Sequence, residues 1–219
     1  MPIARSRPAP RQAFLLAGAA LATLAGLHLL PGSAGVDPVR DLMSEYPVRT
    51  AEAGVAYTFA LLGANAAVVL LGIHWTRDGL LRSRPVAATF LATWCLSLLG
   101  LTVFLKDPVG GPGTWYGTVH LVCTVANFVS LPALCALLWW QHRRESRWHG
   151  HATTAGVVAG LSLACMAPFT VALLTRGEPG SLTDAGLGLT ERAVVILDVV
   201  AVVALTRWSR QVTEQCGTG

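Results

Sequence analysis

The sequence predicts an all-α fold: a polytopic membrane bundle of six transmembrane helices with both termini in the cytoplasm. Three observations predict it. The chain has 219 residues, of which 53% are hydrophobic and only 13% charged, about half the charge of an ordinary soluble domain. Six apolar stretches are long enough, or nearly so, to cross a bilayer, which takes about 20 residues of helix. Arginines cluster in every second connection. Residues 1–219 therefore read as one integral membrane domain of an inner or plasma membrane.

The spans fall near 13–30, 53–74, 86–105, 117–140, 152–174 and 190–207. The first follows Arg5, Arg7 and Arg11 and precedes "PGSAG", a layout that also fits a cleaved signal peptide. Retained, it gives an even helix count and a consistent charge pattern. Pro132 interrupts the fourth stretch and Pro168 the fifth, and each predicts a kink because proline removes a backbone donor. The fifth also holds Gly156 and Gly160, a small-residue pair that lets helices approach closely. The sixth carries Glu191, Arg192 and Asp198.

Charge sets the orientation. Arg5, Arg7, Arg11, Arg77, Arg82, Arg84, Arg143, Arg144, Arg147, Arg207 and Arg210 fall on one side; Arg40, Arg49, Lys106, Arg176 and Arg192 fall on the other. The positive-inside rule places the richer side in the cytoplasm. The acids show the opposite bias: Asp37, Asp41, Glu45, Glu52, Asp107, Glu178, Asp184 and Glu191 lie outside. The cytoplasmic loops are too short for a catalytic domain, so polar chemistry belongs at the outer mouth.

The net charge of +4 follows membrane topology and does not signal nucleic acid. The preference for Arg over Lys, with much Ala, Gly and Val, suits a GC-rich bacterial gene of actinomycete type. Cys95, Cys123, Cys135 and Cys165 lie within apolar runs without a C-x-x-C pair and read as small hydrophobes. No P-loop, Rossmann fingerprint, zinc cluster or serine-hydrolase elbow is present, nor the aspartate-rich strings of soluble terpene synthases. The expectation is a protein without metal or cofactor.

Charged groups inside a span are costly and face a bundle interior or a cavity. Glu191 and Asp198, seven positions apart, share one helix face. Arg192 is turned about 100° away. Two readings of Asp198 are open. In the structural one, Asp198 bonds a neighbouring helix through Asn65, Asn127, Ser97 or Thr124. In the functional one, it is a carboxylic acid in an apolar cavity, where the neutral form is favoured and a proton can be donated. Asp107 ends the third helix, and Trp115 and Tyr116 precede His120, which lies one turn into the fourth. His120 is either a structural histidine or a proton relay. Asp37, Asp41 and Glu45, four apart, would align on one side of a short helix, and His28 adds a titratable group nearby. Trp75, Trp139, Trp140, Trp148 and Trp208 are expected as belt residues at the cytoplasmic boundary. Trp94, within a span, is a candidate to face a cavity and stabilise a cation.

The six spans, "DPVRDLMSEY", "DP" followed by "GTVH", and "GLTERAVVILD" resemble the bacterial six-helix membrane family called domain of unknown function 998. The resemblance matches its Ser-acid-Tyr turn to Ser44-Glu45-Tyr46, its histidine to His120 and its arginine to Arg192. The family label implies no reaction. In size and topology the chain is also similar to small actinobacterial membrane terpene cyclases of indole-terpenoid pathways, which implies proton-initiated cyclisation of a prenyl chain on a lipophilic, indole-linked substrate.

Two functions follow as expectations. One is a metal-independent terpene cyclase acting on a lipophilic prenylated substrate, possible in partnership with a prenyltransferase of the same pathway. Asp198, Glu191, Glu45, Asp107 and His120 would be its acids and bases, and Trp94, Trp115, Tyr116 and Arg192 its substrate contacts. The alternative is a non-enzymatic lipid-binding protein or a proton-coupled permease, with Asp198 and His120 along a pathway.

Overall fold

A computed structural model describes residues 11–30, 35–81, 83–108, 111–174 and 186–216. Every regular element among them is helical. Helix α1 (Arg11–Gly26) runs into a 3-10 turn at Leu27–Leu29. A second 3-10 turn, Met43–Glu45, leads into the short α2 (Tyr46–Arg49). Then follow α3 (Ala51–Arg77), α4 (Arg84–Val103), α5 (Trp115–His142), α6 (His149–Cys165), α7 (Ala167–Leu174) and α8 (Leu187–Cys216).

Local chemistry sets these boundaries. The Thr50 side chain accepts from Ala53 N–H at 3.2 Å and opens α3. Thr114 does the same for Gly117 N–H at 3.1 Å and opens α5. Both satisfy a donor that a first helical turn leaves unpaired. Helix α3 ends in a turn through Gly79, whose φ of +80° favours glycine. Hydroxyls inside the helices bond their own backbone: Thr76 to Gly72 O, Ser97 to Thr93 O, Thr124 to His120 O and Thr206 to Val202 O. That leaves no donor facing lipid without a partner at those positions.

Five helical stretches are long and apolar enough to cross a membrane: Arg11–Leu29, Ala51–Arg77, Arg84–Val103, Trp115–His142 and His149–Val171. The chain is thus a multi-pass membrane protein. Helix α8 has the length, but Glu191, Arg192, Asp198 and Arg207 interrupt its apolar character. The expected fifth span is a helix that breaks at Met166, with Pro168 in the first turn of α7, where its missing N–H costs nothing. Helix α5 instead continues through Pro132.

Helix packing runs α1 on α3, α3 on α4, α4 on α5, α5 on α6 and α6 on α8. Helix α8 also touches α3 and α5 and so closes the bundle on that side, with Ile196 and Val200 exposed on its outer face. The acids Glu45, Asp107 and Glu191 collect at one end of the bundle, the acidic end. Arg77, Arg84, Arg143 and Arg207 collect at the other, the basic end. Gly156 meets α5 closely, since a Cβ there would lie 2.8 Å from the Trp139 ring, whereas Gly160 faces open space. Only the first half of the glycine pair is a packing contact in this bundle.

Two expectations are corrected. Trp75 and Trp208 are fully buried and Trp148 is 7% exposed; they are core residues, not belt residues. Trp75 donates to Thr206 at 3.3 Å, and Trp208 packs on His142, His151 and Trp148. Of the five, Trp140 is well exposed and Trp139 partly so. Asp37, Asp41 and Glu45 do not line one helix. Asp37 and Asp41 bond turn amides, and Glu45 turns inward, buried. The outer positions Arg176, Glu178 and Asp184 lie outside the described residues.

Candidate functional site

The acidic end is built around the start of α8. Gly188 and Leu189 donate their amides to the carbonyls of Arg40 and Val39 at 3.2 and 3.0 Å. A Cβ at Gly188 would run into the Asp41 carbonyl, so the close approach requires glycine. Arg192 donates through Nη1 to Asp41 O at 3.0 Å and to Gly188 O at 2.8 Å. Glu191 accepts the Met43 amide through Oε2, which caps the Met43–Glu45 turn. The first two turns of α8 thus clasp residues 39–43, and Glu191 and Arg192 are its side-chain hooks.

A chain of charges leads away from this clasp. Glu45 pairs with Lys106, the chain's sole lysine, and both side chains are largely buried. Lys106 lies within electrostatic reach of Glu191 and of His120. His120 is buried, with Nδ1 2.8 Å from the Phe104 carbonyl. A carbonyl only accepts, so Nδ1 carries the proton. Asp107 accepts the Thr114 hydroxyl at 2.6 Å and the Thr114 amide at 2.9 Å. These two bonds hold its carboxyl below the usual carboxylate range, and they tie Asp107 to the start of α5. Tyr46 OH lies 2.5 Å from His28 Nδ1.

Beneath the clasp lies a partly open cavity of about 290 Å³, lined by α1, α3, α4, α5 and α8. Its walls are almost wholly apolar. Glu191, Val195, Asp198, Val199, Val202 and Val203 form the α8 wall, the face on which the spacing placed both acids. Trp94 and Leu98 come from α4, Asn127 and Phe128 from α5, Tyr57 and Leu61 from α3, and Phe14 from α1.

Asp198 is the carboxylate among several buried polar groups that lack a hydrogen-bond partner among the described residues. Its Oδ1 is buried and has no hydrogen-bond partner among the described residues. The partners expected for it are engaged elsewhere. Asn65 donates to Cys95 O at 2.9 Å, Asn127 reaches Trp94 O at 3.5 Å, Ser97 bonds Thr93 O and Thr124 bonds His120 O. Trp94 Nε1 lies close enough to the Asp198 carboxyl to act on it as a donor, yet neither Trp94 Nε1 nor Asp198 Oδ1 has a partner in full hydrogen-bond geometry among the described residues. A buried polar group without a partner costs about 1–3 kcal/mol, and at the wall of a cavity a bound molecule can supply that partner.

The structure therefore sorts the expected site residues. Asp198, Glu191 and Trp94 line the cavity. Glu45 and Arg192 belong to the roof above it. Asp107 and His120 sit on the α4–α5 side and are not in the cavity wall. Trp115 and Tyr116 are 62% and 48% exposed; they pack on Phe104 and on each other outside the cavity. Sequence reasoning missed Tyr57 and Phe128, and foresaw Asn127 only as a hydrogen-bond partner of Asp198. None carries a charge or a motif, and nothing but the packing of α3 and α5 against α8 brings them in.

Fold and cavity define a class: a multi-pass helical membrane protein with an acid-bearing apolar cavity at its centre. The family described as "Protein of unknown function (DUF998)" matches residues 14–208. The chain belongs to that family. Neither a curated protein nor a solved structure matches it. The positions of the resemblance, Ser44-Glu45-Tyr46, His120 and Arg192, all fall at the acidic end.

Proposed function

We propose that this protein is an integral membrane terpene cyclase that folds a prenyl chain inside the α8 cavity and protonates it with Asp198. In this reading α8 is the sixth span, both termini are cytoplasmic, the acidic end faces outward, and the protein resides in the inner or plasma membrane. The observation that carries the proposal is Asp198, whose Oδ1 is buried and unpaired among the described residues at the wall of an apolar cavity. The proton of the acid adds to a terminal alkene or epoxide and leaves a carbocation. Neighbouring double bonds close the rings by attacking it in turn. A C–H proton then leaves to a carboxylate, either Asp198 itself or Glu191 on the same wall. Proton gain and loss balance, so the step needs no metal, cofactor or co-reactant. The aromatic faces of Trp94, Tyr57 and Phe128 stabilise the cations, and exclusion of water prevents their quenching.

A prenylated, indole-bearing substrate is the class to test. Cells supplied with a farnesylated indole and its epoxide convert one of them with the wild-type chain and lose at least 100-fold in rate with Asp198→Asn, the usual span for removal of a general acid. Full conversion by Asp198→Asn refutes the assignment. Absence of conversion by a stably made wild-type chain favours a lipid-binding protein without chemistry.

A further inference from the structure

We infer that the cavity recognises a ligand polar at both ends: an apolar prenyl chain with a polar group under the roof and an oxygen function at the deep end, the two sites about 10 Å apart along α8. The inference rests on the reading that the cavity takes an apolar chain, and it adds what that chain must carry. Two polar sites interrupt the otherwise greasy wall. The first, beneath the roof, consists of Glu191 and Tyr57. One Glu191 oxygen is occupied by the Met43 amide; the other makes no hydrogen bond among the described residues. Tyr57 is 5% exposed, lines the same wall within electrostatic reach of Glu191, and its hydroxyl is likewise unbonded among the described residues. The second site consists of Asp198 Oδ1 and Trp94 Nε1, both buried and unpaired.

Glu191 and Asp198 stand two helical turns apart, about 10 Å along α8. Between them Val195, Leu61 and Leu98 present hydrocarbon only. A pure hydrocarbon would leave both polar sites unsatisfied, and a chain polar at one end would leave one. Trp94 can only donate, so the deep end of the ligand is an acceptor: a hydroxyl, carbonyl or epoxide oxygen. A bare alkene offers no lone pair to that indole N–H. Within the proposed chemistry, this favours an oxygen as the protonated atom.

The test uses the full chain in lipid nanodiscs and three matched ligands: 8-hydroxygeraniol, geraniol and the hydrocarbon 2,6-dimethylocta-2,6-diene. Affinities come from the ligand dependence of the unfolding midpoint, corrected for partition into the bilayer. Each satisfied polar site is expected to add about tenfold in affinity, giving the order diol, alcohol, hydrocarbon. Asp198→Leu and Tyr57→Phe should each reduce the diol to the level of geraniol, and the two together to that of the hydrocarbon. Equal affinity for the three ligands overturns the inference, as does a diol affinity unchanged in both variants. The readout does not involve turnover. A chain that ranks the ligands as expected yet cyclises nothing refutes the cyclase and retains the two-ended site. A chain that cyclises a substrate without that ranking does the reverse.

Discussion

Replacing Asp198 by leucine should make the protein more stable. The sign follows from the bonding of the group. Asp198 Oδ1 is buried and unpaired among the described residues, and its removal relieves an unsatisfied polar group of about 1–3 kcal/mol. Leucine is bulkier, but the side chain enters a cavity of about 290 Å³ lined by Val195, Val199 and Phe128, so overpacking strain does not offset the gain. The expected change is about 1–3 kcal/mol, or about 2–4 °C in Tm per kcal/mol for a chain of this size. Glu191→Leu on the same helix face should do the opposite. It strips the Met43 amide of its acceptor and unhooks the roof, a loss of about 1–3 kcal/mol. The assay is unfolding in mixed micelles titrated with SDS, with both variants beside wild type. Destabilisation of 1 kcal/mol or more by Asp198→Leu would mean that the carboxyl holds a structural bond, and the argument for a poised acid would fail.

Three further outcomes check the description of the bundle. Asp107 is held below its ordinary value by the Thr114 hydroxyl and then the Thr114 amide. Its contribution is therefore complete above the ordinary carboxylate value of 3.8 and is lost as pH falls through the lower, folded value. Amide exchange at Gly117 and Thr118 should accelerate over that acid range, and Asp107→Asn should abolish the dependence; an acid-induced rise that survives the substitution contradicts the cap. Lys106→Met leaves Glu45 buried beside no partner, a cost of about 3–5 kcal/mol, and adding Glu45→Gln should restore most of it in the same SDS titration. Gly156→Ala presses a methyl against the Trp139 ring and should cost about 1–3 kcal/mol, while Gly160→Ala should be neutral. Equal effects at the two glycines would remove the α5–α6 contact from the account.

Hydropathy made the long helices legible, because a span must be apolar along its length whatever it packs against. The stretch read as 53–74 is Ala51–Arg77, and that read as 117–140 is Trp115–His142. Their extra turns are polar at the ends and carry no hydropathy signal. The stretch read as 190–207 extends to Cys216, since beyond Arg207 the helix is held by buried Trp208 and Ser209. The break at Met166 was signalled by Pro168 only as a kink, because proline is as compatible with a helix start as with a bent interior. The tryptophans misled for a related reason: an indole near a charged loop suits both a membrane belt and a core, and only tertiary packing separates Trp75 from Trp140.

The site divides along the same line. Seven-residue spacing is a local property, and it placed Glu191 and Asp198 on one wall. Whether each carboxyl has a partner depends on contacts remote in sequence. Glu191 meets Met43 across 148 positions, and the residues that could have met Asp198 turn to carbonyls on other segments or on their own helix. Two acids that look alike in the sequence thus have different work: Glu191 holds the roof, and Asp198 Oδ1 bonds no residue among those described. The positions through which the chain resembles its family are of the first kind. Ser44 and Glu45 are buried in or beside the roof, Arg192 clasps it, and His120 is fixed to Phe104. Residues that build an end of the fold recur wherever the fold does, whereas chemistry resides in the site grafted onto it. Asp198, which closes the string "GLTERAVVILD", is the exception among them; Trp94 and Tyr57 lie outside the quoted strings, so variation at these two, and not at the family turn, should separate members that take different ligands.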